Sequence, residues 1–486
     1  MKAETNLAKR AIQALNGKGL QVIQFKSSGR LQESYAGMTD FDLVVPTDHF
    51  NIACDTLLDL GFLERSTNDP AHPAQIRDFI GYDQASRAIH HFSLHAELVF
   101  GAKPIKRHVV PQNIWRNFKT EATSEGLKIL QPVEELLLLT LRLSLRIRIF
   151  SFRTINWLIR GSDSRFPEKA MLKEARRLHQ FSPLSGSHPE IPGGFSPVLE
   201  KSAASLITVL SQPQIRRGSF LFGMVRLRIA LNSWIALRGA RLMKIRLQRL
   251  TFLENKAVRS AGAGLAVAVV GIDGSGKSSL VEHLTDWLDY KFSAKSFYLG
   301  QHKKSASQRL LRFMNRVGRQ LRIPLVRNLS YRLARVDLER LRWKESWKIQ
   351  KWTARGGIAV VDRWPLREFR NSATKMDSPV LGSTSVLGKL ETHFSNLIPH
   401  YPDYLIVLSI DPVLAGERKS GDPKVLEGKA NSIKALLQSN IGTIFRVVSS
   451  NEPLEENKTQ SEKFVWAVLT RLSRRGNQPT FFAGNN

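Results

Sequence analysis

Between residues 264 and 475, short apolar runs alternate with longer stretches whose apolar residues recur every three or four positions. The runs at 265–270, 296–299, 357–361, 404–410 and 444–449 predict buried strands. The stretches at 277–290, 306–317, 325–354, 385–398, 412–418, 430–439 and 459–473 predict helices. Alternation at this spacing predicts an α/β fold, a parallel sheet with helices on both faces. Residues 1–125 carry shorter signals: strands at 21–25, 41–45 and 91–100, helices at 7–15 and 50–60. They predict a smaller α/β unit. Residues 126–260 read as mainly helical, divided by a Pro/Gly/Ser-rich break at 181–197. Three regions are therefore expected, 1–125, 126–260 and 264–475, with a linker at 255–263. No internal repeat is visible.

Charge sharpens this division. The formal net charge is +30. Residues 1–125 hold 14 basic and 14 acidic residues, whereas 126–260 hold 23 basic and 8 acidic. Residues 305–355 hold 14 basic and 3 acidic. Such fields attract polyanions or an anionic membrane surface, or else belong to solvated helix faces. Residues 220–250 mix large apolar residues with seven basic ones, which fits a helix lying on a membrane or a packing helix whose arginines reach solvent. No sequence-specific nucleic-acid motif accompanies the charge.

One cysteine, Cys54, excludes an intrachain disulfide and fits a reducing, cytoplasmic compartment. The N-terminus lacks the apolar core and cleavage site of a signal peptide. The most apolar stretch, 133–150, is interrupted by Arg142, Arg146 and Arg148, so it is a poor membrane span. Peripheral attachment at a membrane surface stays open.

Chemistry concentrates after the first strand of the third region. Gly271-Ile272-Asp273-Gly274-Ser275-Gly276-Lys277-Ser278 fits G-x-x-x-x-G-K-[ST], with Ser279 next. A strand, a Gly-rich loop and a helix start form a phosphate-binding P-loop. Glycines let backbone N–H groups face the phosphates. Lys277 supplies a point charge for the β- and γ-phosphates, and the Ser278 hydroxyl suits Mg²⁺. The cofactors expected are ATP and Mg²⁺.

A second apolar run ends at Asp362-Arg363-Trp364. The C-terminal edge of a parallel sheet is where ligands sit, so Asp362 is placed for Mg²⁺ or an acceptor, and Arg363 for a phosphate. A capping Asp beside a surface Arg would read the same. Asp411-Pro412 reads as a helix start. Arg418, with Lys429 further on, lies where a basic loop could neutralise transferring charge.

These features resemble the thymidylate kinase family of P-loop nucleoside monophosphate kinases. The resemblance rests on Gly271, Asp273, Gly274, Gly276, Lys277 and Ser278, on Asp362-Arg363, on Pro402-Asp403 and Asp411-Pro412, and on Glu417-Arg418. It covers about 210 residues in order. It implies that Asp273 faces the acceptor's sugar and that Arg363 approaches the acceptor phosphate. It also implies an arginine on the long helix, either Arg340 or Arg342. The chain departs from the family where Arg367 stands in place of a serine. That departure and the basic helix at 325–354 leave the acceptor open, from a nucleotide to a sugar phosphate or polyphosphate.

In the first region, Asp40 and Asp42 stand at i and i+2, on one face if the segment is a strand. His91, Ser93, His95 and Glu97 alternate likewise. Two aspartates plus Glu97 would suit the metal centre of nucleotidyl transfer. With the Ser27-Ser28-Gly29 turn, the region resembles the nucleotidyltransferase superfamily.

The expectation for the chain is an ATP- and Mg²⁺-dependent phosphotransferase acting on a small phosphorylated acceptor. Lys277, Asp362, Arg363 and Arg418 would carry transfer; Gly271, Asp273, Gly274, Ser275, Gly276, Lys277, Ser278 and Ser279 would bind nucleotide. Ser278 and Asp362, and separately Asp40, Asp42 and Glu97, would hold metal. The alternatives are a nucleotide-gated protein bound to a polyanion or membrane through the basic middle region, and a nucleotidyltransferase working through the first region.

Overall fold

The computed structural model describes residues 6–67, 75–100, 108–146, 177–178, 197–211, 217–234, 258–260, 264–300, 305–366, 385–419, 423–438 and 442–474. The chain divides into two compact units, Met1–Lys256 and Ala257–Asn486.

In the first unit, α1 (Leu7–Gly17) buries Leu7, Ala8, Ala11, Ile12 and Leu15, one helical stripe, and Asn6 caps its N-terminus by accepting from the Ala8 N–H. Strand β1 (Ile23–Gln24) is shorter than the apolar run containing it. Then come β2 (Phe41–Val44), α2 (Thr47–Asp59), β3 (Leu63–Thr67), β4 (Ile76–Tyr82) and β5 (Ile89–His95). The single strand expected at 91–100 is two. A bend at residues 96–97 separates β5 from β6 (Leu98–Phe100), which pairs with β7 (His108–Val110). Strands β8 (Thr120–Ala122) and β9 (Lys128–Leu130) complete the sheet, ordered β3-β4-β5-β2-β1-β9-β8. Pairings β2–β5 and β1–β9 are parallel.

One face of this sheet packs on α1 and α2 through Phe41, Phe92, Leu15 and Leu57. On the other face, α3 (Pro132–Arg146), α4 (Pro197–Ser211) and α5 (Arg217–Trp234) share one apolar core with Ile23, Phe25, Val44 and Leu130. Helix α5 answers part of the question left by residues 220–250. Phe220, Met224, Leu227 and Leu231 are buried at helical spacing, so this part packs on the core, with Phe222 and Ile229 exposed on its other side. Residues 235–250 and most of the break at 181–197 lie outside the described residues.

The second unit carries β10 (Leu265–Gly271), α6 (Lys277–Asp289), β11 (Ala294–Tyr298), α7 (Ala306–Gln320), α8 (Pro324–Ala354) and β12 (Ile358–Asp362). These are followed by α9 (Val386–Asn396), β13 (Tyr404–Ser409), α10 (Pro412–Arg418), α11 (Pro423–Gln438), β14 (Ile444–Ser449) and α12 (Leu454–Arg474). The five strands are ordered β11-β12-β10-β13-β14, and every pairing is parallel. All seven residues of β10 are buried, so both faces of the sheet centre are covered. The fold is α/β, as the alternation predicts. Helices α11 and α12 begin earlier than the apolar periodicity indicates, at Pro423 and directly after Pro453. Proline tolerates the first helical turn because its missing N–H has no partner there.

Candidate functional site

The order of strands reverses on the two sides of β10, which makes its C-terminal end the switch point where ligands of open parallel sheets sit. The loop 272–276 leaves β10 there. Gly274 and Gly276 take φ of +86° and +83°, a region L side chains enter at a cost of about 1 kcal/mol or more. Gly274 is also tight: a Cβ would lie 2.4 Å from the Ala415 carbonyl oxygen. Helix α10 thus abuts the loop. Gly276 occupies the N-cap of α6 without a side chain to offer, so no side chain caps that helix. The N–H groups of Lys277, Ser278 and Ser279 belong to its first turn, where intrahelical acceptors are lacking.

Lys277 is buried, 6% exposed, and its Nζ donates to the Ile272 carbonyl at 2.5 Å. The Ser278 hydroxyl donates to Asp362 Oδ2 at 3.0 Å. Asp362 is 8% exposed, and its Oδ1 has no hydrogen-bond partner. A buried carboxylate oxygen without a donor is costly unless a cation completes it. One hydroxyl and one carboxylate, all hard oxygen, fit Mg²⁺, which keeps water and phosphate as its other ligands.

Asp273 stands at the centre of the charges. Arg363 donates to its Oδ1 at 2.9 Å and Lys429 to its Oδ2 at 2.5 Å. Burial opposes ionisation of Asp273, but the Lys429 hydrogen bond and the charges of Lys429, Arg363 and Lys277 outweigh it, holding the carboxyl well below the usual range. Arg363 itself has φ +68°, a strained position for a side-chain-bearing residue, and its N–H donates to the Val269 carbonyl. That junction turns Arg363 from the end of β12 back over the loop.

Arg418 lies elsewhere. At the end of α10 it donates to the Ser450 carbonyl at 2.9 Å, one helical turn beyond the Ala415 that touches Gly274. Asp411 accepts from the Val413 N–H and caps α10, as its sequence indicates. Of the two candidate arginines on α8, Arg340 is exposed and bonds Asp337, one turn away. Arg342 is buried, bonds Glu339 at 2.7 Å and reaches the Leu299 carbonyl at 3.0 Å. Leu299 in turn donates to the carbonyl of Asp362, so Arg342 is the one tied to the site edge. Lys429, read in the sequence as part of a basic loop, stands on helix α11 instead, and 156 residues separate it from the Asp273 it contacts.

In the first unit, Asp42 pairs with Lys26, and Asp40 with His91 Nδ1 at 3.2 Å. His91 Nε2 bonds Asp78 at 3.2 Å. Burial alone would lower the His91 pKa, but Asp40 and Asp78 raise it. Among the described residues no three acidic, histidine or cysteine side chains are grouped to hold a metal ion. Lys26 and His91 thus pair with the two aspartates separately, and Glu97 lies at the bend between β5 and β6.

No protein family matches the chain. Over 235 residues it is 25% identical to a protein of Escherichia coli (strain K12) named "Uncharacterized ATP-binding protein YghR", covering 43% of this chain and 90% of that protein. A protein of the same name from Escherichia coli O6:H1 matches equally. Among solved structures, that of deoxyadenosine kinase from M. mycoides with bound dATP is similar at 14% identity and a TM-score of 0.30. That likeness covers 41% of this chain and 98% of the kinase chain.

Proposed function

We propose that the second unit binds ATP and Mg²⁺ and moves the γ-phosphoryl group to a small phosphorylated acceptor, a nucleotide or a sugar phosphate. The observation that carries this reading is the Ser278–Asp362 contact, with Asp362 Oδ1 left open beside an uncapped helix N-terminus. The relatives named for ATP binding support the nucleotide.

In this reading the loop N–H groups and Lys277 hold the β- and γ-phosphates, and Ser278 and Asp362 hold Mg²⁺. Bound there, Mg²⁺ supplies neutralisation of charge on the phosphate oxygens. An ionised acceptor phosphate needs no general base. Its oxygen attacks the γ-phosphorus as the bond to the β,γ-bridging oxygen breaks, leaving ADP. Asp362 is thus free to hold metal rather than to take a proton. Arg363 and Lys429 converge where a second anion would sit, and Asp273 keeps both cations aimed there. In this reading Arg418 would leave the Ser450 carbonyl to meet charge that develops in transfer.

The test is ATP consumption by the full chain with Mg²⁺ across nucleoside monophosphates, sugar phosphates and polyphosphate. Turnover with one acceptor class, lost in Lys277→Ala with folding intact, is the expected result. ATP binding without turnover on any acceptor would overturn it in favour of a nucleotide-gated binding protein.

A further inference from the structure

Helix α7 is amphipathic the wrong way round. It packs principally on α8, through Gln308, Leu311, Asn315 and Gly318. Gln308 bonds the Ala334 carbonyl, Asn315 bonds the Arg327 carbonyl, and a Cβ on Gly318 would lie 2.9 Å from the Arg327 nitrogen. At about 100° per residue, Leu310, Phe313, Met314 and Leu321 fall on the opposite side, facing solvent, with Val317 half-buried between them. Leu310 is 60% and Phe313 61% exposed. Arg309, Arg312, Arg316 and Arg319 form a row beside that apolar stripe. The hairpin continues it with Leu325, 75% exposed, and with Leu329 and Tyr331. A helix of a globular protein ordinarily turns such a stripe to its own core.

We infer that α7 and the start of α8 lie on an anionic membrane surface, with α7 in the interfacial plane. Seven arginines and no acidic residue occur between 309 and 332, so the occupant is negatively charged. A nucleic acid would meet the arginines and leave Leu310 and Phe313 in water. A second copy docked through the same stripe would set one arginine row against another, with no acid between 309 and 332 to offset them. An anionic bilayer meets both needs: phosphates for the guanidinium groups, acyl chains for Phe313, Leu310 and Met314. Among the described residues no helix is long and apolar enough to cross a membrane, which is compatible with one lying on it. The surface is distinct from the middle-region helix α5, which buries Phe220, Met224, Leu227 and Leu231 in its own core.

The experiment is co-sedimentation of the full chain with vesicles of phosphatidylcholine alone and of phosphatidylcholine mixed equally with phosphatidylglycerol. Binding to the mixed vesicles only, weakening as salt rises, is expected. Leu310→Ser with Phe313→Ser should weaken it about tenfold or more. Arg312→Gln and Arg316→Gln should each weaken it about fivefold. All four positions leave the core untouched, so an unchanged melting temperature certifies the fold. Equal binding to neutral vesicles, or full binding by the serine pair, would overturn the inference. So would a dimer that the serine pair dissolves with no vesicle binding, or oligonucleotide binding that replaces vesicle binding and ignores Phe313.

Discussion

The hydroxyl of Ser278 and the carboxylate of Asp362 meet at 3.0 Å across 84 residues, one on the first turn after the loop and the other at the end of the neighbouring strand. The parallel pairing of β10 with β12, Val269 opposite Asp362, sets that meeting. Ser278→Ala should raise the Mg²⁺ concentration for half-maximal ATP turnover by about tenfold or more, with the melting temperature unchanged. Equal Mg²⁺ dependence in wild type and variant, measured by turnover against Mg²⁺, would remove Ser278 from the metal site.

Gly274 and Gly276 separate two costs. Both have positive φ, but only Gly274 faces a backbone carbonyl at 2.4 Å, whereas nothing lies nearer than 4.0 Å to a Cβ at Gly276. Gly276→Ala should therefore lower stability by about 1 kcal/mol, a backbone cost. Gly274→Ala should lower it further and weaken ATP binding, since the loop must move away from Ala415. Thermal melts with and without ATP measure both.

Much of this unit was legible. The strands of the five-stranded sheet were visible as apolar runs, most clearly β10 and β12, which are buried throughout and need no polar alternation. The short strand Val258–Ser260, by contrast, falls in the stretch read as a linker. The loop was legible because phosphate binding needs glycines and a helix start in a fixed order. What the pattern could not supply was any pairing decided by the folded surface. Lys429 on Asp273 and the buried choice of Arg342 over Arg340 depend on which way helices α11 and α8 face. In the first unit, strands β3, β4, β7, β8 and β9 escaped because their runs are short or mixed in polarity. The Asp40/Asp42 spacing predicts a shared face, yet spacing does not reveal that Lys26 pairs with one and His91 with the other.

Arg342 and Arg340 give a direct check of that choice. Arg342→Ala leaves Glu339, itself 1% exposed, without its partner, and should cost about 3–5 kcal/mol. Arg340→Ala removes a surface pair and should cost less than about 1 kcal/mol. Denaturant melts of the two variants decide it; similar losses would mean that Arg342 is solvated.

Asp273 and Asp403 titrate in opposite senses. The folded pKa of Asp273 is depressed, so its contribution is present above the unfolded value of about 3.9 and is lost as pH falls through the folded value. Asp273→Asn should thus destabilise the protein at neutral pH, leaving Lys429 and Arg363 without their anion. The gap from wild type should close only in strong acid. A gap constant from neutral to strongly acidic pH, in melts at stepped pH, would show that Asp273 is not charged in the fold.

Asp403, at the entry to β13, is pushed up to about 6 by burial, against the Ala266 N–H that donates to its Oδ2 at 2.7 Å. Between about pH 4 and pH 6 the folded state holds the proton that the unfolded state has lost, so stability falls as pH rises through that window. Above it, the chain carries a poorly solvated carboxylate held by one hydrogen bond. Asparagine at this position keeps an acceptor for the Ala266 N–H and has no charge to bury. Asp403→Asn should therefore be more stable than wild type by about 1–3 kcal/mol at neutral pH. The two should converge below about pH 4, where Asp403 is protonated in both states. Chemical denaturation at neutral and acidic pH measures the difference; an asparagine variant that gains nothing at neutral pH would mean that water reaches the carboxylate.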